Sequence, residues 1–269
     1  MKAIIEICIL SAAQGVAEFL PISSSGHLLV LSRWFGFEPD ESMTLNVVLH
    51  AGTLLAIIVF YFKKLWSIFL QRERQRLIAL VVVGSIPAAV AGLTLKGLKL
   101  EEKLFSSPYI AALGFAVTGF MLFWVFRKKE DAPDAVTAEK MSYKQALLIG
   151  CAQAIAITPG ISRSGSTISC GVLSKLRKAD AAEFSFLLAI PAIGGAALLE
   201  VLDIAKAPAA ISSSELFSLG IGFIISAVVG YFSLAGLIAL LKKGRLDCFA
   251  YYLFIAAAVT AAVETFKLF

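Results

Sequence analysis

Six segments of about 20 mostly apolar residues recur along the chain, at 43–62, 78–97, 108–126, 183–203, 215–240 and 248–268. Each is long enough to cross the hydrocarbon core of a bilayer, because that core is about 30 Å thick and a helix rises about 1.5 Å per residue. Only 16% of the residues are charged, against roughly a quarter in soluble domains. The pattern predicts an all-α, polytopic membrane protein with a single integral membrane domain over residues 1–269.

The first apolar run ends in a polar island, QGVAEFLPISSSGH at residues 14–27. A helix over residues 3–20 should break near Pro21, because proline lacks a backbone donor and disfavours helix in the preceding residue. The serines that follow are typical helix N-caps and predict a second half-helix over residues 25–36. Two half-helices around a polar break are typical of a re-entrant hairpin, which returns to the side from which it entered.

A second island, PGISRSGST at residues 159–167, separates half-helices predicted over 143–157 and 166–179. Three predicted spans follow each hairpin, so residues 1–127 form one repeat and residues 143–269 a second. The repeat rests on segment order, since the sequences of the halves are only weakly alike. An odd number of spans separates the hairpins, so the second repeat must be inverted. Such repeats place a binding site near the membrane midplane.

The positions of the basic residues predict the orientation. The loops at 63–77, 127–144, 175–178 and 242–245 hold five, five, three and three Lys or Arg, together 16 of the 24 in the chain. Glu38, Asp40, Glu41, Glu101 and Glu102 fall on the opposite side. By the positive-inside rule the basic loops are cytoplasmic. We therefore expect both termini outside and a site that opens to the outer face.

Glu18, in the first island, is a candidate functional residue. A carboxylate inside a membrane is costly unless it is paired or bound to a metal. Gln14 lies one helical turn earlier on the same helix face. Together the two side chains could supply oxygen ligands to a divalent cation, Mg²⁺ or Ca²⁺. The alternative is a Glu that is protonated or hydrogen-bonded within a polar helix interface.

Three serines and a histidine follow Glu18. Ser23, Ser24 and Ser25 lie at the start of a half-helix, where free N–H groups and the helix dipole favour phosphate. His27 can exchange a proton near neutral pH, and a serine activated by a nearby base is a common nucleophile. The alternative for His27 is a structural hydrogen bond. His50, in LNVVLHAGT, has no comparable neighbours and is interpreted as structural.

Arg163 is the only basic residue of the second island. Its planar guanidinium suits bidentate phosphate contacts. Small or hydroxyl-bearing residues flank it: Gly160, Ser162, Ser164, Gly165 and Thr167. The alternative is an internal ion pair with Glu18 or Glu183. If the two islands meet at the midplane, the combination indicates phosphoryl transfer from a lipid diphosphate.

The two islands in this order resemble the undecaprenyl-diphosphate phosphatase family of the bacitracin-resistance type. The resemblance covers nearly the whole chain, including EFSFLLAIPA at 183–192. It implies a multi-pass enzyme of the bacterial plasma (inner) membrane that hydrolyses undecaprenyl diphosphate to undecaprenyl phosphate and inorganic phosphate. This reaction recycles the lipid carrier for cell-wall synthesis. The resemblance also implies six spans, two re-entrant hairpins, an inverted repeat and, often, a homodimer.

The resemblance assigns roles to single residues. It implies that Glu18 is the essential acid, that Ser24 and His27 are nucleophile and base, and that Arg163 binds the diphosphate. Gln14 stands where either Glu or Gln occurs, so one ligand of the cation would be neutral. Surrounding phosphate contacts are implied for Ser162, Ser164 and Thr167. A phosphoserine intermediate and direct attack by water both remain open.

Parts of the sequence also resemble proteins with two other functions. SSSGH resembles a box of the type-2 phosphatidic-acid phosphatases, but their second histidine would fall on Ser169. A secondary transporter or flippase of an anionic polyprenyl lipid is the main alternative, because inverted repeats with broken helices are frequent in transporters. The cluster of Glu18, Ser24 and His27 favours hydrolysis, since a carrier does not need it. No nucleic-acid partner is predicted.

Overall fold

The computed structural model describes residues 2–36, 39–100, 104, 106–127, 131–206, 212–243 and 246–266. Within these ranges the regular secondary structure is helical, apart from an isolated bridge between Val136 and Leu176. In chain order the α-helices are α1 (Lys2–Phe19), α2 (Ser24–Phe35), α3 (Pro39–Phe60), α4 (Phe62–Leu70), α5 (Gln75–Gly97), α6 (Pro108–Val125), α7 (Tyr143–Ile155), α8 (Arg163–Leu173), α9 (Lys178–Lys206), α10 (Ser213–Lys242) and α11 (Cys248–Phe266). The predicted all-α class is confirmed.

Five of these helices are each long and apolar enough to cross a membrane: α5, α6, α9, α10 and α11. A sixth span results if α3 and α4 are taken together, but the chain bends by 65° between Thr44–Phe60 and Phe62–Leu70. The span predicted over 43–62 therefore corresponds to part of a bent pair. Lys63 and Lys64, which begin the predicted basic loop 63–77, lie in the first turn of α4. The chain is a multi-pass helical membrane protein.

The second half-helix of the second island differs from its predicted range of 166–179. α8 begins at Arg163, because the hydroxyl of Ser162 accepts a hydrogen bond from the Gly165 N–H at 3.1 Å and caps the helix. The helix ends at Leu173, and Lys175 then adopts a left-handed φ of 66°. Arg163 therefore lies in the first turn of a helix rather than in irregular backbone.

The helices pack in pairs that match between the two halves of the chain. α1 packs on α2 and on α10, while α7 packs on α8 and on α5. Glycines allow both interhelical contacts to be close: a Cβ on Gly15 would lie 2.9 Å from Gly230 N, and one on Gly150 would lie 2.1 Å from Gly84 O. Small residues at such crossings are typical of membrane helices. α6 and α11 pack on each other.

Charged residues from three of the predicted basic loops meet at one end of the helices. Lys64 lies 3.3 Å from Glu139 and 2.9 Å from Glu183, and Lys175 pairs with Asp134. In the fourth basic loop, residues 244–245 lie outside the described residues, as do Glu38, Glu101 and Glu102.

The opposite end of the bundle holds two further ion pairs. Arg33, near the end of α2, lies 3.0 Å from Glu264 near the end of α11. Lys96, near the end of α5, pairs with Asp203 near the end of α9. The fully buried aromatic side chains between the two ends include Phe19, Phe115, Phe184 and Phe186.

Candidate active site

The breaks between α1 and α2 and between α7 and α8 touch each other. A Cβ on Gly26 would lie 2.8 Å from the Cα of Gly160, and the Ser164 hydroxyl donates to the Leu20 carbonyl at 3.2 Å. α6 crosses at the same point, since a Cβ on Gly160 would lie 2.0 Å from the Ala111 carbonyl oxygen. The two polar islands therefore meet, as the sequence predicts.

We expect Gly160→Ala to destabilise the protein by about 2 kcal/mol or more, because it combines a clash with a left-handed φ of 84°. Thermal unfolding of the purified protein in detergent would measure the effect. Gly195→Ala is the matched control, since Gly195 is helical and a Cβ there meets nothing within 4 Å. Equal melting temperatures for the two variants would show that the contact between the breaks does not require glycine.

The two breaks share a capping geometry that the sequence analysis missed. Ser23 caps α2 by accepting from the Gly26 N–H, as Ser162 caps α8 through Gly165. The sequence carries the signal: Ala-Gln is followed at the same spacing by Ile-Ser-X-Ser-Gly in both islands, at 13–26 and at 152–165. Segment order alone does not align the two islands. The variable position X is Ser24 in the first island and Arg163 in the second.

Glu18 is the point on which both islands converge. Its side chain is buried, and Arg163 Nη2 donates to Oε1 at 2.6 Å. On the other oxygen, Oε2, the Ser24 hydroxyl donates at 2.7 Å and Gln14 Nε2 at 3.1 Å. The internal ion pair considered for Arg163 is thus present with Glu18, whereas Glu183 pairs with Lys64.

His50 also lies beside Glu18, contrary to its interpretation as an isolated structural residue. Its Nε2 is 4.0 Å from Glu18 Oε2, and its Nδ1 is 2.8 Å from the Asn46 carbonyl oxygen. Sequence reasoning missed this contact because α3 follows the first hairpin and only tertiary packing brings it back to α1. A histidine one helical turn after Asn46 in an apolar run gives no such signal by itself.

Both ring nitrogens of His27 make hydrogen bonds to groups other than the Ser24 hydroxyl. Its Nδ1 lies 2.8 Å from the Ser23 carbonyl oxygen and its Nε2 lies 2.6 Å from the Tyr252 hydroxyl. The ring stacks on Tyr252 and contacts Phe115. The hydrogen-bond partner of the Ser24 hydroxyl is Glu18 rather than His27. The role of His27 as the base of Ser24 stays a prediction, and Tyr252 is a neighbour that the sequence does not indicate.

The remaining predicted residues divide into those that line a small cavity and those that support it. Side chains from both islands line about 30 Å³ of space, enough for one or two waters: Glu18, Ser23, Ser24, Ser25, Ser162 and Arg163. Thr167 instead donates to the Arg163 carbonyl at 2.8 Å and contacts the Ser185 hydroxyl at 2.5 Å. Ser164 bonds to Leu20 across the islands, so Thr167 and Ser164 brace the site rather than line it.

Two buried polar atoms at the site are left without a partner in the part of the chain that the structure describes. One is the carbonyl oxygen of Gln14, Oε1, and the other is a guanidinium nitrogen of Arg163, Nη1. The first is an acceptor beside a carboxylate and suits a cation, whereas the second is a donor and suits an anion. Across the described residues no three His, Cys, Asp or Glu side chains form a metal cluster.

Comparisons with known proteins show which family the chain resembles. The family model described as "Bacitracin resistance protein BacA" matches residues 7–259. A protein of Rhodopirellula baltica named undecaprenyl-diphosphatase is 43% identical over 252 residues, which covers 94% of this chain and 95% of that protein. Proteins of the same name from Methanosphaera stadtmanae and Caldicellulosiruptor bescii are 37% and 39% identical, with 97% and 94% of this chain covered and 98% and 94% of theirs.

Proposed function

The chain belongs to the family of the bacitracin resistance protein BacA, and on this basis we propose that it is an undecaprenyl-diphosphatase of the membrane. It hydrolyses undecaprenyl diphosphate to undecaprenyl phosphate and inorganic phosphate. This activity returns the lipid carrier to cell-wall synthesis and confers resistance to bacitracin. The observation that carries the proposal is the meeting of the two islands at the Glu18–Arg163 contact.

Arg163 is the proposed diphosphate ligand. Its Nη2 donates to Glu18, and its buried Nη1 has no partner among the described residues. The N-termini of α2 and α8 meet at the same cavity, and each presents backbone N–H groups that favour phosphate. Ser23, Ser25 and Ser162 add hydroxyls to the wall of the cavity.

The diphosphate has to compete with Glu18 for Arg163. The cavity has room for one or two waters, which is much less than a diphosphate needs. We propose that the Glu18–Arg163 contact opens on binding, so that the guanidinium turns from the carboxylate to the phosphate. The carboxylate released in this way is free to hold a cation, which couples cation binding to diphosphate binding.

Gln14 and Glu18 are the proposed ligands of a divalent cation, Mg²⁺ or Ca²⁺. The unpartnered Gln14 oxygen and the Glu18 carboxylate are oxygen donors of the kind that hard cations prefer. When bound, such a cation would neutralise charge on the transferring phosphoryl group. Without it, one carboxylate beside one guanidinium gives the site no net positive charge to offset the diphosphate.

Ser24 is the proposed reactive hydroxyl. Its hydrogen bond to Glu18 orients it towards a carboxylate that can accept its proton. His27 serves the same step only if it exchanges its bond to Ser23 or to Tyr252. Attack by Ser24 on the terminal phosphorus would break the P–O–P bond, release undecaprenyl phosphate and leave a phosphoserine that water must then hydrolyse to inorganic phosphate. Attack by water held at the same place would give both products in one step, so trapping of a phosphorylated protein would distinguish the two routes.

Phosphate release from undecaprenyl diphosphate by the purified protein tests the proposal. We expect release that stops with a chelator and returns when Mg²⁺ or Ca²⁺ is added back. If a chelator left phosphate release unchanged, this would contradict the proposed need for a divalent cation but not the proposed phosphatase activity. A folded protein that binds the lipid and releases no phosphate would instead favour the carrier or flippase.

We also propose the finer architecture: six spans and two re-entrant hairpins, with residues 1–127 and 143–269 as inverted repeats. The matched helix pairs, the shared capping of α2 and α8 and the repeated island sequence support it. The meeting of the basic loops at one end supports an orientation with that end cytoplasmic and both termini outside. The homodimer stays a prediction that light scattering in detergent would test.

We expect Ser25→Cys to react with a membrane-impermeant maleimide on intact cells, because the proposed orientation opens the site to the outer face. Ser25 lines the cavity and is partly exposed. The four native cysteines would first be replaced by alanine. Lys140→Cys, at the exposed basic end, is the control and should react only after permeabilisation. The reverse pattern of labelling would show that the protein has the opposite orientation in the membrane.

A further inference from the structure

We propose that His50 is a third protein ligand of the divalent cation, through Nε2, alongside Gln14 and Glu18. The inference rests on the proposed function, in which the cation is held by the first two residues alone. It is carried by three facts about α3 and α1: the position of His50 beside Glu18, the tautomer that its surroundings impose, and the unpartnered oxygen of Gln14.

The tautomer follows from the partner of Nδ1. A backbone carbonyl can only accept a hydrogen bond, so the 2.8 Å contact with Asn46 requires the proton of a neutral ring to lie on Nδ1. Nε2 then carries a lone pair. A metal-bound histidine typically donates its other ring N–H to a carbonyl or carboxylate in this way, which fixes the ring for coordination.

The lone pair of Nε2 lies 4.0 Å from Glu18 Oε2, which is itself an acceptor. A cation bound between two acceptors at this distance would stabilise both. The Gln14 carbonyl oxygen, buried and without a described partner, is a third acceptor, on a side chain that hydrogen-bonds to Glu18. A cation bound by all three side chains satisfies every one of these atoms.

The proposed ligand set predicts a cation preference that oxygen ligands alone do not give. Imidazole nitrogen suits first-row transition metals better than Ca²⁺, which takes oxygen ligands. Mn²⁺ should therefore bind more tightly than Ca²⁺ to the wild type. Loss of His50 should remove most of this advantage.

The experiment uses the full-length protein in detergent, purified without a histidine tag, with Mn²⁺ as the probe. A short prenyl methylenebisphosphonate is added, since its bridging carbon prevents hydrolysis and it supplies the diphosphate charges. Pulsed electron paramagnetic resonance then detects nitrogen coupled to Mn²⁺, and ¹⁵N-histidine labelling assigns it to imidazole. The chain has only two histidines, so His27→Gln is the matched control for His50→Gln.

We expect imidazole coupling in the wild type and in His27→Gln, and none in His50→Gln. The Mn²⁺ affinity of His50→Gln should fall by at least about tenfold, since loss of an outer-shell partner alone typically costs about 10- to 100-fold. His50→Asp, which restores an oxygen ligand, should recover Mn²⁺ binding without nitrogen coupling. This recovery separates a lost ligand from a misfolded variant.

Three other outcomes would each overturn part of the argument. Bound Mn²⁺ without imidazole coupling in the wild type would exclude His50 as a ligand and leave Gln14 and Glu18 as the cation site. Coupling that is lost in His27→Gln and kept in His50→Gln would show that the imidazole ligand is His27 on α2 and would overturn the proposal. If the wild type bound the bisphosphonate but no Mn²⁺, this would also contradict the divalent-cation site in the proposed function.

Discussion

We expect Arg163→Ala to lower kcat/KM for undecaprenyl diphosphate by about 100-fold or more, which corresponds to about 2.7 kcal/mol. The guanidinium is the only described cation beside the cavity that both islands line, and its Nη1 awaits a partner. Truncation removes a charged double donor from a buried site, where such contacts are strongest. Arg163→Lys should lie between alanine and wild type, because it keeps the charge and loses the planar fork.

The same substitution leaves the buried Glu18 carboxylate without the Arg163 guanidinium that pairs with it, so part of the loss of activity can come from a less stable fold. The double variant Glu18→Gln with Arg163→Ala separates the two effects, because it removes both charges. We expect its melting temperature to recover towards the wild type while phosphate release stays absent. A stable Arg163→Ala variant with wild-type kcat/KM would contradict the assignment of Arg163 as the diphosphate ligand.

The membrane architecture was largely predictable from the sequence, because bilayer thickness fixes the length of an apolar helix and leaves little freedom. The spans predicted over 78–97 and 108–126 correspond to α5 and α6 within a few residues. The bend between α3 and α4 was not predictable, since the chain stays apolar through Tyr61 and no proline or glycine marks the break. The fold is therefore best predicted where hydropathy alone decides.

The candidate site was predictable only where it lies within the two islands. Glu18, Ser24 and Arg163 are close in the structure because two polar breaks in apolar surroundings have to satisfy each other. His50 and Tyr252 reach the site from α3 and α11, through packing that local patterns do not encode. The chemical roles of all these residues remain predictions that only the variants test.

The start of α8 shows a subtler limit. The polarity of the island PGISRSGST predicts a break, yet Ser162 caps a helix that already contains Arg163. Polarity and irregular backbone are different properties, and a capped helix start combines a polar sequence with regular backbone. This difference matters for function, since it places Arg163 beside free N–H groups at a helix N-terminus, where phosphate is favoured.

We expect Glu18→Gln to change substrate binding and turnover in opposite directions. Phosphate release should fall by about 100-fold or more, because the variant loses the carboxylate proposed to hold the cation and to accept the proton of Ser24. In the presence of a chelator, however, it should bind undecaprenyl diphosphate about tenfold more tightly than wild type, or by about 1.4 kcal/mol. Glutamine has nearly the same shape, so Arg163 loses a competitor for the diphosphate without a cavity being created.

Equilibrium binding in the chelator measures this competition without turnover. Glu183→Gln is the matched control, because Glu183 is paired with Lys64 at the basic end and does not contact Arg163 in the described part of the chain. It should keep wild-type affinity and turnover. If Glu18→Gln lost turnover with unchanged affinity, the Glu18–Arg163 contact would not oppose the substrate. The two charges would then act as fixed supports, and the diphosphate would have to bind beside the pair rather than by opening it.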